Sequence, residues 1–359
     1  MKIGIVTLFG NFNYGNRLQN YALEQVIKKA GHEATTVIVD DTLQENIVIK
    51  LLKKIKTTFF LTKKQKLATM TMKEKEKRIK PFTDRYLHNV AIADVDLDAL
   101  DLVFVGSDQV WNPTYIKNNG AFFLDFVDEA KRFSYAASFG VSNLPEEFCA
   151  SYRDYLSAMN QISVREEAGV QIVHELTDKK AVLVPDPTML LTNEEWSELI
   201  EHSGEVAVKE DQKYILVYVL RDLDEIKMAK IDQFAKANQY RVVRLMGDYY
   251  DETHVMYTPI EFLSAIKNAE MVFSDSFHCG VFSIIFKTPF VIFDRTDGEM
   301  GSRLTTLLKT FQLEDNLYQD ALDFQTVKDT TDFSEVERIQ LEVRQNGLDF
   351  IADCLVARK

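Results

Sequence analysis

Short apolar runs that break into small polar loops, and then give way to helical spacing, recur from one end of the chain to the other. The first is KIGIVTLF, followed by the turn GNFNYGNRLQ and by NRLQNYALEQVIKKAG, a helix ending at Gly31; HEATTVIVD then supplies a second strand. A nearly continuous apolar run is what a parallel strand covered on both faces requires. LDLVFVGSDQVW, RFSYAASFG, QISVREEAGVQIVHEL and KAVLVPDPTML repeat the passage from buried strand to polar loop, with NLPEEFCASYRDYLSAM helical among them. Alternation of this kind builds doubly wound parallel sheets and places functional loops at the carboxyl ends of the strands.

A second series begins near Lys213. YILVYVL, YRVVRLM, MVFSD and TPFVIF read as strands, and DEIKMAKIDQFAKANQ, TPIEFLSAIKNAE and SFHCGVFSIIFK as helices. The apolar rhythm stops in HSGEVAVKEDQ, where small and charged residues take over. A length of 359 residues also exceeds what one core ordinarily uses. The expected architecture is α/β, with two doubly wound Rossmann-like domains facing a cleft. The first spans residues 1–205 with a basic excursion at 48–90, the second spans 206–333, and a helix over 334–359 packs back on the first domain.

Charge narrows the partners. With 42 Lys and Arg against 55 Asp and Glu the net charge is −13, which repels phosphate backbones and argues against nucleic-acid binding. Between Val48 and Val90 the balance reverses, with 13 basic residues against 3 acidic ones. Ile49, Leu51, Leu52 and Ile55 fall there near helical spacing, followed by Phe59, Phe60 and Leu61. A basic amphipathic element with aromatic tips suits an anionic membrane surface; a solvated helical excursion is the other reading. No apolar run approaches the roughly 18 residues of a membrane span. Cys149, Cys279 and Cys354 are odd in number and far apart, which fits a reducing cytoplasm better than a disulfide framework.

The densest candidate site is MVFSDSFHCGVFSIIFK. A buried strand delivers Asp275, Ser276, Phe277 and His278 to the entrance of an apolar helix, which Ser276 or Asp275 could cap. Free backbone N–H groups and the positive dipole end there attract an anion, and His278 adds a group that exchanges protons near neutrality. SVREEAG sets Arg165 at the end of another strand. There its planar fork either grips phosphate or carboxylate, or pairs with Glu166, Glu167 or a neighbouring helix. After the first strand, Asn11, Asn16 and Arg17 suit sugar hydroxyls or a second anion; without GxGxxG, a nicotinamide cofactor is disfavoured. VGSDQVWNP offers Asp108, Gln109 and Trp111 as a carbohydrate-binding set, with Asp108 as the carboxylate to take a proton from a hydroxyl. Ser138 lies in the small polar loop of YAASFG. The remaining histidines form no HxH or HExxH spacing, so no metal site is read, and no GxSxG elbow marks a hydrolase.

In that order, GNFNYGNRLQNYAL, VGSDQVWNP, SYAASFG, SVREEAG, VPDPTMLL and SDSFHCGVFSIIFKTPFVIF resemble the polysaccharide pyruvyl transferase family. The resemblance implies a GT-B-like fold. It also implies transfer of a carboxyvinyl unit from phosphoenolpyruvate, as co-substrate and with no other cofactor, onto two hydroxyls of a sugar in a polysaccharide or lipid-linked oligosaccharide. The product would be a pyruvate ketal and phosphate, in capsule or cell-envelope biosynthesis. Arg165 and His278 match the family's phosphate- and carboxylate-binding pair. Many members carry Arg two residues before the histidine where this chain has Ser276. Arg295 stands where a lysine is sometimes found. Arg221, Arg295, Arg303 or Lys287 would have to supply the missing cation. The other functions compatible with such a fold are a glycosyltransferase using a nucleotide sugar and a non-catalytic carbohydrate-binding relative. A lipid-linked acceptor would place the chain at the inner face of the cytoplasmic membrane through 48–90.

Overall fold

A computed structural model describes residues 1–39, 63–208, 212–220, 223–247, 253–294 and 301–357, the side chains of 63–67 excepted. Strands β1 (Lys2–Val6), β2 (Glu33–Ile38), β3 (Asn89–Ala91), β4 (Leu102–Val105) and β5 (Arg132–Ser134) form a sheet in the order β3-β2-β1-β4-β5, with every pair parallel. Parallel bridges from Phe133 to Gln161 and from Ala137 to Val164 continue it into β6 (Ile162–Val164) and β7 (Ala181–Leu183). The second lobe holds β8 (Tyr214–Tyr218), β9 (Arg241–Leu245), β10 (Met271–Ser274) and β11 (Phe290–Ile292), again all parallel, in the order β11-β10-β8-β9. β4 and β10 are buried along their whole length, which explains their uninterrupted apolar sequence. Strand order reverses at β1 and at β8, and crevices open beside the carboxyl ends at such points.

Local signals set the helix limits. Asn13 caps the helix Tyr14–Lys29 by accepting from Asn16 N–H, and Gly31 at φ +82° turns the chain beyond it. Thr192 and Glu195 form a capping box on the helix Asn193–Ser203, as Thr258 and Glu261 do on Pro259–Lys267. The helix Phe333–Val356 returns to the first lobe: Arg344 Nε donates to the Leu190 carbonyl, and Cys354 Sγ meets Gln161 Oε1.

The two expected lobes are present, each with an apolar cluster of its own, and a third cluster runs across both, from Ile3 and Leu18 to Phe262 and Phe282. Tyr14 stacks on Phe262 with ring centroids 4.8 Å apart, and its hydroxyl accepts from Tyr257 N–H. Of the basic excursion, Ile49 to Leu61 lies outside the described residues; in the helix Lys63–Tyr86, Ile79 and Phe82 are buried in the cluster common to both lobes and Met70 is exposed. Lys73, Lys77 and Lys80 remain on its exposed side. Among the described residues no helix is long and apolar enough to cross a membrane.

Candidate active site

The carboxyl ends of β4, β6 and β10 and the loop after β7 deliver side chains to one point between the lobes. Arg165 follows β6 and is 4% exposed. Its Nη1 donates to Asp186 Oδ2 at 2.7 Å and its Nη2 to Asp108 Oδ1 at 3.3 Å. From the other lobe His278 brings Nε2 to 3.5 Å from the same Asp186 oxygen. That nitrogen is buried and makes no hydrogen bond among the described residues. An arginine of one lobe and a histidine of the other therefore share a carboxylate.

Asp186 is the residue that the sequence reading passed over. It sits in VPDPTML, read only as a strand running into a Pro-rich loop; a polar residue between two prolines after a strand was the available signal. Its Oδ1 accepts from Thr188 N–H and Oγ1, and its Oδ2 also accepts from Ser107 Oγ. Burial alone would raise its pKa. The positive charge of a protonated His278 and of Arg165, with the Thr188 N–H, outweighs that and holds it well below the usual carboxylate range. For Arg165 burial favours loss of charge, but Asp186, Asp108 and Glu166 reverse this and keep it firmly cationic.

Asp108 has φ +68°, a left-handed conformation that aspartate tolerates better than most residues. Its Oδ1 also accepts from Gln109 N–H, and its Oδ2 from Asn16 Nδ2. Against burial, Arg165, His278, Arg303 and Asn16 together lower its pKa. In this structure Asp108 anchors Arg165.

The helix Phe277–Phe286 begins at Ser276, whose side chain makes no cap bond; Asp275 turns instead to accept from Leu220 N–H. Both residues line the junction, and the first-turn N–H groups sit beside His278. Phe277 lies between two guanidinium groups, with its ring centre 4.6 Å from Arg165 Cζ and 5.9 Å from Arg303 Cζ. Arg303, on the helix Gly301–Thr310, lines the same small cavity as Ser276. Lys287 does not: it lies at the far end of its helix, paired with Glu337. Arg221 and Arg295 lie outside the described residues.

Gly15 explains why this junction can close. A Cβ there would fall 2.1 Å from His278 Cγ and Nδ1, so the imidazole rests directly on the backbone of the helix Tyr14–Lys29. Asn13, Asp108, Gln109, Asp275, Ser276 and His278 are among the residues around a cavity of about 50 Å³. That is room for a few waters and no sugar ring. Beyond Arg165 and Phe277 a second, mostly apolar cavity of about 210 Å³ opens between Leu183, Met189, Leu307, Phe311 and Val343.

Several acceptor candidates prove internal. Trp111 is fully buried, stacks on Phe123 and donates its Nε1–H to the Phe122 carbonyl, so it offers no face to a sugar. Arg17 is fully buried, donates to the Asn16 side chain and the Leu8 carbonyl, and has its pKa lowered by burial to about 10. Asn16 is equally buried and serves Asp108. Ser138 is fully buried, and its backbone accepts from Trp111 N–H and donates to Asp108 C=O. Asn11 is 7% exposed and accepts from Thr83 Oγ1. Gln109 alone of this set lines the small cavity, with Oε1 accepting from Asn112 Nδ2. Among the described residues no group of three His, Cys, Asp or Glu could hold a metal ion.

The sequence profile of the polysaccharide pyruvyl transferases matches residues 13–297. The chain belongs to the polysaccharide pyruvyl transferase family. Every side chain of the Arg165–Asp186–His278–Asp108 cluster falls inside the match. No curated protein matches the sequence. Among solved structures, the UDP-GlcNAc 2-epimerase of Neisseria meningitidis is similar over 99% of this chain and 100% of its own, at 12% identity and a TM-score of 0.52. That of Methanocaldococcus jannaschii covers 94% and 92%, at 12% identity and 0.51. The UDP-complexed UGT89C1 of Arabidopsis thaliana covers 98% and 99%, at 9% identity and 0.50. At such identities the likeness concerns the fold, which is GT-B in type: this member of the pyruvyl transferases has two Rossmann-like lobes meeting at their strand ends.

Proposed function

We propose that the protein transfers a pyruvyl unit from phosphoenolpyruvate to two hydroxyls of one sugar, forming a cyclic ketal and releasing phosphate. The observation that carries this reading is the Arg165–Asp186–His278 junction, where a guanidinium from one lobe and an imidazole from the other converge beside a helix entrance. A small donor with both phosphate and carboxylate needs such a set, and Arg303 adds a second cation. His278 gives a proton to the enol methylene, C2 becomes electrophilic, and one sugar oxygen adds to it. The second oxygen then displaces phosphate. One hydroxyl proton ends, in net terms, on the new methyl group and the other on phosphate. Arg165 holds the departing phosphate.

The family supports a polysaccharide acceptor in general. A lipid-linked one fits the lysines on the exposed side of the helix Lys63–Tyr86, which would contact anionic lipid by charge. The test is phosphate release from phosphoenolpyruvate with candidate glycan acceptors, run beside UDP- and GDP-sugars. Phosphate release that falls at least roughly a hundredfold in His278→Ala is expected, with the donor KM of Arg165→Lys raised about tenfold or more. Turnover of a nucleotide sugar in place of phosphoenolpyruvate would replace the reading with glycosyl transfer.

A further inference from the structure

Asp186 Oδ2 stands between a guanidinium and an imidazole. It accepts from Arg165 Nη1 at 2.7 Å, while His278 Nε2, buried and without a hydrogen bond among the described residues, waits 3.5 Å away. The charges around this pair come from every element packed on it. Asp108 follows β4, Arg165 and Glu166 follow β6, and Asp186 follows β7; Asp275 follows β10. Arg303 comes from the helix Gly301–Thr310, and Arg17 stands behind Asp108 on the helix Tyr14–Lys29. Four carboxylates thus face three guanidinium groups among the described residues. A donor carrying three negative charges cannot enter such a balance unchanged, nor does a cavity of about 50 Å³ admit it without side-chain movement.

We propose that Asp186 is a positioning residue that exchanges partners when the donor binds. The arriving phosphate takes Arg165, and the freed Asp186 Oδ2 closes on His278 Nε2. There it stabilises the charge of an imidazolium that has taken up a proton from solvent. Histidine is the side chain whose ordinary range allows that uptake near neutrality. This rests on the phosphoenolpyruvate reading but is separable from it. A phosphate ester with a second pKa of about 6 arrives fully ionised above about pH 7.5, so uptake there is a change made in the complex, and its loss in His278→Gln assigns it to the imidazole.

The experiment is calorimetric titration of the whole protein at about pH 8, in two buffers of different ionisation enthalpy, with phosphoenolpyruvate and with inorganic phosphate as probes. Expected is uptake of about one proton per donor bound, with the donor Kd rising about tenfold per pH unit above neutrality. Asp186→Asn keeps an Oδ1 acceptor for Thr188 but loses the charge, and should abolish most of the uptake. Binding of phosphoenolpyruvate by the wild-type protein without proton uptake overturns the proposal while leaving the donor reading intact. Uptake with phosphate alone, and no binding of phosphoenolpyruvate, keeps the exchange and removes that donor. Failure of both anions to bind overturns both readings, and full uptake in Asp186→Asn overturns the assignment to Asp186. If that variant does not fold, the wild-type proton count still decides, and His278→Gln should lose the uptake.

Discussion

Gly15 shows how much one missing carbon decides. Replacing a helical glycine by alanine ordinarily stabilises by about 1 kcal/mol. Here the added methyl would lie 2.1 Å from the His278 ring, and overpacking of that kind costs about 1–3 kcal/mol. Gly15→Ala is therefore expected to displace the imidazole and lower phosphate-release turnover about tenfold or more, with little change in Tm; wild-type kinetics would show that the ring does not need this seat. Asp186 carries a second prediction at this scale. Its pKa is depressed in the folded protein by His278 and Arg165 acting against burial. Its contribution to stability is thus present above the unfolded value of about 3.9 and lost as pH falls through and below it. Urea midpoints should drop between about pH 5 and pH 3.5 by more in the wild type than in Asp186→Asn. The same residue marks where the sequence fell silent. An aspartate between prolines is ordinary turn chemistry, and nothing local says that an arginine and a histidine from two lobes will meet on it. Trp111 erred the other way: beside Asp108 and Gln109 it resembles a sugar platform, yet Phe122 and Phe123, a short distance along the chain, draw it into the core.

At the scale of elements, the strands were legible because parallel strands buried on both faces must be apolar throughout, and Val103, Phe104 and Val105 in β4 could hardly be anything else. β3 was not: Asn89–Ala91 is a three-residue edge strand that is not buried, so it leaves no apolar run. Where a helix docks was equally hidden. Gly347 in the helix Phe333–Val356 lies against Tyr135, Leu190 and Pro185, and a Cβ there would come within 2.6 Å of the Tyr135 hydroxyl. A bulky residue must push this helix off the first lobe. Gly347→Leu should destabilise by about 2 kcal/mol or more, read from urea unfolding; an unchanged midpoint would mean that the helix contributes little there.

At the scale of the whole molecule, the apolar core common to both lobes sets mechanical behaviour as well as stability. Each lobe keeps a cluster of its own, and the cluster they share joins them through Tyr14, Phe262 and Phe282. Calorimetry is expected to give one transition, and Tyr14→Ala to cost about 3–5 kcal/mol, with lobes that then melt in two steps. Two transitions in the wild type would refute the shared core. The alternation of apolar runs, polar loops and helical spacing was enough to determine two doubly wound lobes, because burial on both faces of a sheet leaves a signature in every strand. It also determined that Arg165 and His278 would stand at strand ends. Which carboxylate joins them, which loop residues are sealed inside, and that the lobes share an apolar cluster beside their own were decided only by the tertiary structure. Each depends on side chains far apart in the chain competing for the same small volume, and a linear pattern records periodicity without recording who arrives opposite whom.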